Sequence, residues 1–376
     1  MINRRNFSRA LGAVAIVGAP ALRAESTERI LLGQSAPFSG PAAQLGIQFN
    51  RGAVLYFNSI NAQGGVRGRM IDLVPLDDGY EPDRCVENTN KFIGQDAFAL
   101  FGYVGTPTSV AALPIATAAG LPFFGPFTGA MALRQPANPW VFHLRASYND
   151  ETALIVKQLT TLGLTKIAVF YQNDAYGKAG LDGVNLALGK LGMKPVAQAT
   201  VERNSSNVAA SVRTLTAARP DAIVQIGAYK ACAAFIRQAK AAGYGGTFFN
   251  VSFVGTQALA DELGKDGAGV VVSQVMPSPY NAGRPIAREF ADAVKMAGAD
   301  YQANFSSMEG YLAAKVMVEG LRHAGNRPSR KSLVNGLESL GNQDFGGFSV
   351  TLSPRQHVAS SFVELSMLIG DGRVRT

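Results

Sequence analysis

From Ile30 onward, short apolar runs alternate with longer stretches whose apolar positions recur at helical spacing. The runs predict strands at 30–34, 70–76, 98–104, 121–124 and 140–145. Between them the spacing predicts helices at 43–61, 81–92 and 109–119. The plan then repeats. Helices are predicted at 148–162, from the end of the loop 172–177 to near 191, at 208–218 and at 229–242. Strands are predicted at 166–171, 194–201, 222–226, 248–251 and 270–276. A long helix at 305–321 and closing strands at 348–352 and 361–368 complete the pattern. Residues 116–124 read ATAAGLPFF and residues 239–249 read AKAAGYGGTFF, so each half carries the same helix–turn–strand device. These readings predict an α/β protein of two similar doubly wound lobes, each a parallel sheet with helices on both faces.

Two loops of the first half carry chemistry. Gly105-Thr106-Pro107 stops the strand at 98–104, with Thr106 as a helix N-cap and Pro107 at the first helical position. The strand at 121–124 breaks at Gly125-Pro126 and leads into Phe127-Thr128-Gly129. In a parallel sheet both loops lie on one edge, where ligands bind in open α/β sheets. Free N–H groups there suit a carboxylate or phosphate. Capping alone explains one hydroxyl loop; two on one edge point to a site.

The first residues carry Arg4-Arg5 before Phe7, and an apolar stretch at 10–21 too short to span a bilayer. Residues 1–24 read as an export signal of twin-arginine-like or general secretory type, which implies a periplasmic protein. The net charge of +8 falls to +4 once Arg4, Arg5, Arg9 and Arg23 are set aside. That residue balance has no basic–aromatic stripe, so nucleic acid is excluded as a partner. Cys85 and Cys232 lie in different predicted helices and read as two buried thiols rather than a disulfide.

Ser39-Gly40-Pro41 with Gly46, the run 60–66 (INAQGGV), Asp77-Asp78 and the stretch 102–109 follow one another at defined spacing. Asn173-Asp174-Ala175-Tyr176-Gly177 and Tyr311-Leu312-Ala313-Ala314 continue the series. In this order the chain resembles the leucine/isoleucine/valine-binding proteins of bacterial ABC transporters. The resemblance implies two lobes joined by three crossovers, near Arg145, Gln274 and Ser360, with a ligand in the cleft as in a Venus flytrap. Lobe I then covers 25–145 plus 275–359, and lobe II covers 146–274 plus 360–376. It also implies a monomer that delivers a small molecule to an inner-membrane ABC permease.

The resemblance assigns Thr106 to the ligand carboxylate and Phe127 and Gly129, with Thr128 between them, to mainly backbone contacts. Tyr176 and Tyr229 match second-lobe aromatics that cover the ligand. Tyr311, or Glu309 close by, matches a first-lobe wall position. Tyr103 and Tyr148 enter by proximity, while Asp174 reads as the N-cap of its own helix. Two departures stand out. The family's disulfide is absent, and its ammonium-binding glutamate aligns near Ser252-Phe253, where no acid stands. A ring in that place favours an aromatic or aliphatic acid, or an amide, over a free amino acid.

His143, His323 and His357 lack metal-site spacing, no G-x-S-x-G elbow occurs, and Gly177-Lys178-Ala179-Gly180 lacks dinucleotide-fingerprint spacing. Asp77 and Asp78 read as solvated turn residues. The expectation is therefore a binding protein without catalysis, metal or cofactor. The alternatives are an exported α/β enzyme with a bound cofactor and a sensory ligand-binding module.

Overall fold

The computed structural model describes residues 29–298 and 301–376. The export signal read over residues 1–24 lies outside them. The first lobe opens with β1 (Ile30–Ala36), α1 (Ala43–Ala62), β2 (Ile71–Asp77), α2 (Pro82–Gly94) and β3 (Ala99–Phe101). It continues through α3 (Thr106–Ala118), β4 (Phe123–Phe124) and β5 (Val141–Phe142). These strands form a parallel sheet in the order β2-β1-β3-β4-β5. β3 is shorter than the apolar run predicts because Gly102 turns to φ 60° and ends it.

The chain then passes to the second lobe. There α4 (Tyr148–Thr161), β6 (Ile167–Gln172), α5 (Ala175–Gly189), β7 (Ala197–Val201) and α6 (Ala209–Ala217) alternate. β8 (Ala222–Ile226), α7 (Tyr229–Ala241), β9 (Thr247–Asn250), α8 (Thr256–Leu263) and β10 (Val271–Gln274) follow. All five residues of β8 are buried, as expected for a central strand covered on both faces.

After β10 the chain returns to the first lobe as α9 (Pro285–Ala297), α10 (Phe305–His323) and α11 (Arg330–Glu338). α10 lies so close to α1 that a Cβ at Gly310 would stand 1.9 Å from the Phe49 carbonyl oxygen. An antiparallel hairpin, β11 (Gly341–Asp344) and β12 (Ser349–Leu352), precedes the last crossing. β13 (Glu364–Leu368) and β14 (Val374–Arg375) then join the second sheet, whose order is β14-β13-β10-β9-β8-β6-β7. β13 and β14 run antiparallel to their neighbours, so the second sheet is mixed rather than wholly parallel. Cys85 and Cys232 are both buried free thiols.

Candidate functional site

The site begins at the carboxyl ends of β3 and β4. Val104 bridges Phe127 in parallel, and the Phe127 N–H donates to the Tyr103 carbonyl at 2.7 Å. The two loops therefore leave the sheet side by side. Gly105, at φ 102°, is the N-cap of α3, and Thr106 is its first helical residue. Thr106 is thus not the cap. Its hydroxyl instead meets the Thr128 hydroxyl at 2.6 Å, both buried. Gly129 lets this loop touch the start of α4, since a Cβ there would lie 2.6 Å from the Tyr148 nitrogen. The Gly129 carbonyl accepts the Tyr148 N–H at 2.8 Å.

Aromatic rings from both lobes meet in front of this loop. Phe253, fully buried, has Tyr176 at 4.4 Å, Phe127 at 5.7 Å and Tyr80 at 5.9 Å between ring centroids. Tyr148 lies 5.4 Å from Tyr176. Its hydroxyl is buried close to the Thr128 hydroxyl and the Gly129 backbone but makes no well-aligned hydrogen bond to either, and burial pushes its pKa up to about 12. It is a neutral donor at physiological pH.

Charge is arranged around the rings. Arg145, at the first crossover, forks onto Glu309 through Nε–Oε1 at 2.8 Å and Nη2–Oε2 at 2.7 Å. Its guanidinium carbon lies 4.1 Å from the Phe127 ring centroid. Burial works against that charge, but Glu309 more than restores it, so the Arg145 pKa lies above its ordinary value. Arg145 Nη1 remains without a partner. Behind Phe253, the Glu151 carboxylate accepts the Ser252 N–H at 2.7 Å, the Ser252 hydroxyl at 3.1 Å and the Ser273 hydroxyl at 2.5 Å. Burial raises its pKa, opposed by Arg145 and these donors.

The rim of the cleft is closed by the turn after β2. Glu81 accepts from Arg203 at 2.8 Å and from Asn204 at 2.7 Å, and the Gly79 carbonyl accepts from Asn204 at 3.0 Å. Gln172 Nε2 donates to the Tyr80 hydroxyl at 3.3 Å. Tyr80 itself has φ 65°, a strained conformation for a bulky residue. Its N–H is held by Asp78 Oδ1 at 2.8 Å.

Asp77 and Asp78 are therefore not the solvated turn pair that the sequence suggests. Burial pushes Asp78 up to about 6, against hydrogen bonds from the Ser35 hydroxyl and the Tyr80 N–H. Burial would also raise Asp77, but the Ser39 hydroxyl and the Phe38 and Gly79 N–H groups bring it down to about 2. The two residues act on stability with opposite signs. The folded state holds the Asp78 proton more tightly than the unfolded chain does. Its contribution is full below about pH 4 and is lost as pH rises through about 6. That of Asp77 is present above about pH 4 and is lost as pH falls through about 2. Melting temperatures measured against pH should show it. Asp78→Asn flattens the segment from about pH 4 to 6, where two pKa units correspond to about 3 kcal/mol. Asp77→Asn flattens only the acid limb below about pH 4. A single effect shared by both variants contradicts these assignments.

Of the sequence-predicted residues, Thr106, Phe127, Thr128, Gly129, Tyr148, Tyr176 and Phe253 come together here. Tyr229 stands at the rim, its hydroxyl accepting the Gln44 N–H at a long 3.5 Å. Asp174 caps α5, accepting from the Tyr176 and Gly177 N–H groups. Two residues lie elsewhere. Tyr103 packs edge-on against Phe123 at 4.9 Å, and its hydroxyl pairs with Thr89 at 3.1 Å under α2. Tyr103 lies past the end of β3, after the Gly102 turn, and its ring packs with Phe123 in the core beneath α2 rather than in the cleft. Tyr311 packs on Tyr56 and Phe290 among α1, α9 and α10, donating to Glu289 at 3.0 Å. Two residues apart on a helix cannot share a face, so with Glu309 inward Tyr311 points away.

Sequence reasoning missed Tyr80, Arg145 and Glu151 as site residues. Glu151 did leave a signal, an acid set between Tyr148 and Ile155 on the buried stripe of α4.

Two doubly wound lobes meeting over a shared aromatic and polar cluster define a two-lobed solute receptor. The chain belongs to the periplasmic binding protein family, whose model matches residues 29–365, and to its leucine/isoleucine/valine-binding type. A crystal structure of a possible leucine/isoleucine/valine-binding protein from Rhodopirellula baltica superposes with a TM-score of 0.89. It is 35% identical, covering 93% of this chain and 96% of that one. A substrate-binding periplasmic protein from Ralstonia solanacearum gives a TM-score of 0.87 at 33% identity, over 92% and 99% of the two chains. An amino acid binding protein of Pseudomonas aeruginosa is 25% identical over 70% of this chain and 71% of its own length.

Proposed function

We propose that this is an exported, monomeric solute-binding protein that captures a small carboxylate- or amide-bearing molecule with a flat or apolar body. It delivers that molecule from the periplasm to an inner-membrane ABC permease. The lobes we assign to this work are 25–145 plus 275–359, and 146–274 plus 360–376. The observation that carries the ligand class is the pair of buried donors without a well-aligned acceptor, Tyr148 Oη and Arg145 Nη1, beside the Phe127–Phe253 rings. Such donors suit ligand oxygens, and the rings suit its apolar body. The state of the nearby acids supports a ligand without a free ammonium. Glu309 is forked onto Arg145, Glu151 is served by three donors, and Asp174 caps a helix. Contacts to both lobes would favour the closed form, shifting a hinge equilibrium by differential affinity.

The test strips the protein of bound solute and measures thermal shifts against two panels. Aromatic and branched aliphatic acids are expected to stabilise it, by about 2.7 kcal/mol at one hundred times the dissociation constant. Leucine, isoleucine and valine are expected to give none. Strong shifts with those amino acids and none with the deaminated acids overturn the ligand class. Mass spectrometry of solute released on denaturation identifies the natural ligand.

A further inference from the structure

Two turns from different lobes face each other across the rim of the cleft. The turn of the first lobe follows β2 and presents Gly79, Tyr80 and Glu81. The turn of the second lobe follows β7, where the Ser205 N–H donates to the Glu202 carbonyl at 3.1 Å, and presents Arg203 and Asn204. Each turn holds a non-glycine residue in left-handed backbone, Tyr80 at φ 65° and Asn204 at φ 59°. The described residues contain five such positions, and two of them meet here. Strained backbone persists where surrounding contacts over-determine it, and it gathers at ligand clamps and switch regions.

The contacts between the turns close into a ring. Glu81 accepts Arg203 through one carboxylate oxygen and Asn204 through the other. Arg203 also lies 3.5 Å from Asp174 in its own lobe. Asp174 accepts Gln172 Nε2 at 2.6 Å, and the same nitrogen donates to the Tyr80 hydroxyl at 3.3 Å. The peptide between Tyr80 and Glu81 completes the circuit. It runs from the rim, where the Glu81 side chain is 44% exposed, to the Tyr80 ring against Phe253. Arg203 Nε and Asn204 Oδ1 have no partner. Parting the lobes would return these groups and both charges to water, so the ring can release as well as hold.

We propose that this ring is an interlobe latch and that Arg203 is its positioning residue, favouring the closed receptor with or without a solute. The inference rests on the two-lobed receptor reading. Asp174 steadies Arg203 toward Glu81, while Gln172 sets Tyr80 over the aromatic cluster. The latch touches the solute only through Tyr80. It raises the population of the closed form, and so tightens every solute by the same factor without choosing among them.

The test uses protein stripped of solute. Cys85 and Cys232 are buried, so cysteines introduced at exposed Asn90 in the first lobe and exposed Ala210 in the second take spin labels selectively. Pulsed dipolar spectroscopy then gives two distances, closed and open, and their ratio. Arg203→Ala is expected to lower the closed-to-open ratio at least about threefold, and Glu81→Gln to lower it similarly. The double variant is expected to fall no further than Arg203→Ala, because both remove one interaction. Added salt is expected to lower the ratio with Arg203 present and to leave Arg203→Ala unchanged. Glu202→Gln is the control: it cuts a bond to Asn173 within the second lobe and is expected to keep the ratio. No solute is present, so a wrong ligand class does not move these ratios. A single distance in the labelled protein, equal ratios with and without Arg203, or an equal loss in Glu202→Gln overturns the proposal.

Discussion

Glu309→Ala is expected to destabilise the protein by about 3–5 kcal/mol. The cost comes from what remains. Arg145 has 1% side-chain exposure and loses both arms of its fork, leaving a guanidinium whose contact is the face of Phe127. A cation over a ring recovers about 0.5–2 kcal/mol, too little to hold a buried charge. The double variant Arg145→Met with Glu309→Leu removes both charges and fills similar volume. It is expected to return to within about 1 kcal/mol of wild type, because apolar replacements of buried pairs are often neutral. Urea unfolding followed by two probes measures both. Calorimetry then separates stability from capture: the double variant should fold and still bind an acid ligand poorly, having lost Arg145 Nη1. A double variant as unstable as the single one assigns the cost to packing rather than charge.

Phe253→Glu is expected to weaken an acid ligand at least about a hundredfold, or about 2.7 kcal/mol. The side chain sits among Tyr176, Phe127 and Tyr80, with Glu151 already behind its backbone. A second carboxylate there has no partner, so it costs several kcal/mol when charged or takes up a proton. If charged, it repels the ligand's own carboxylate; if neutral, it still removes a ring face from the pocket. Binding by Phe253→Leu is the control, since it keeps an apolar surface. Calorimetry with the acid found by thermal shift reads the change. Unchanged affinity in Phe253→Glu places the ligand elsewhere.

The alternation of strands and helices, and with it the two lobes, was legible because each strand is a short buried run bounded by turn residues. The hydroxyl loops were legible for the same reason, as both follow strands of one parallel sheet. Strand direction was not. The runs at 348–352 and 361–368 read as closing strands, but apolar periodicity does not say that β13 lies antiparallel to β10. α9 escaped notice although Pro285 at its first turn and Ile286, Ala287 and Phe290 on one face announce it. The site was legible in its aromatic and hydroxyl members and opaque in its charges. Nothing in local spacing brings Arg145 to Glu309, 164 residues away, or Glu151 to Ser252, 101 away. Tyr80 was hidden in a turn that looked merely polar, its inward direction set by a left-handed backbone that sequence does not mark for tyrosine.

The late arrival of β13 has a consequence for how the chain is made. Ser366 reaches Gln274 across 92 residues of sequence, all belonging to the hairpin, the other lobe and the crossovers. During synthesis β10 therefore waits as an open edge while the first lobe takes back its helices. Such long closures are slow, and an unpaired strand edge recruits foreign strands. The β10 edge of the second sheet stays open until residues 364–368 have been made. The same delay makes residues 364–375 the segment whose loss would convert a receptor lobe into an aggregation template.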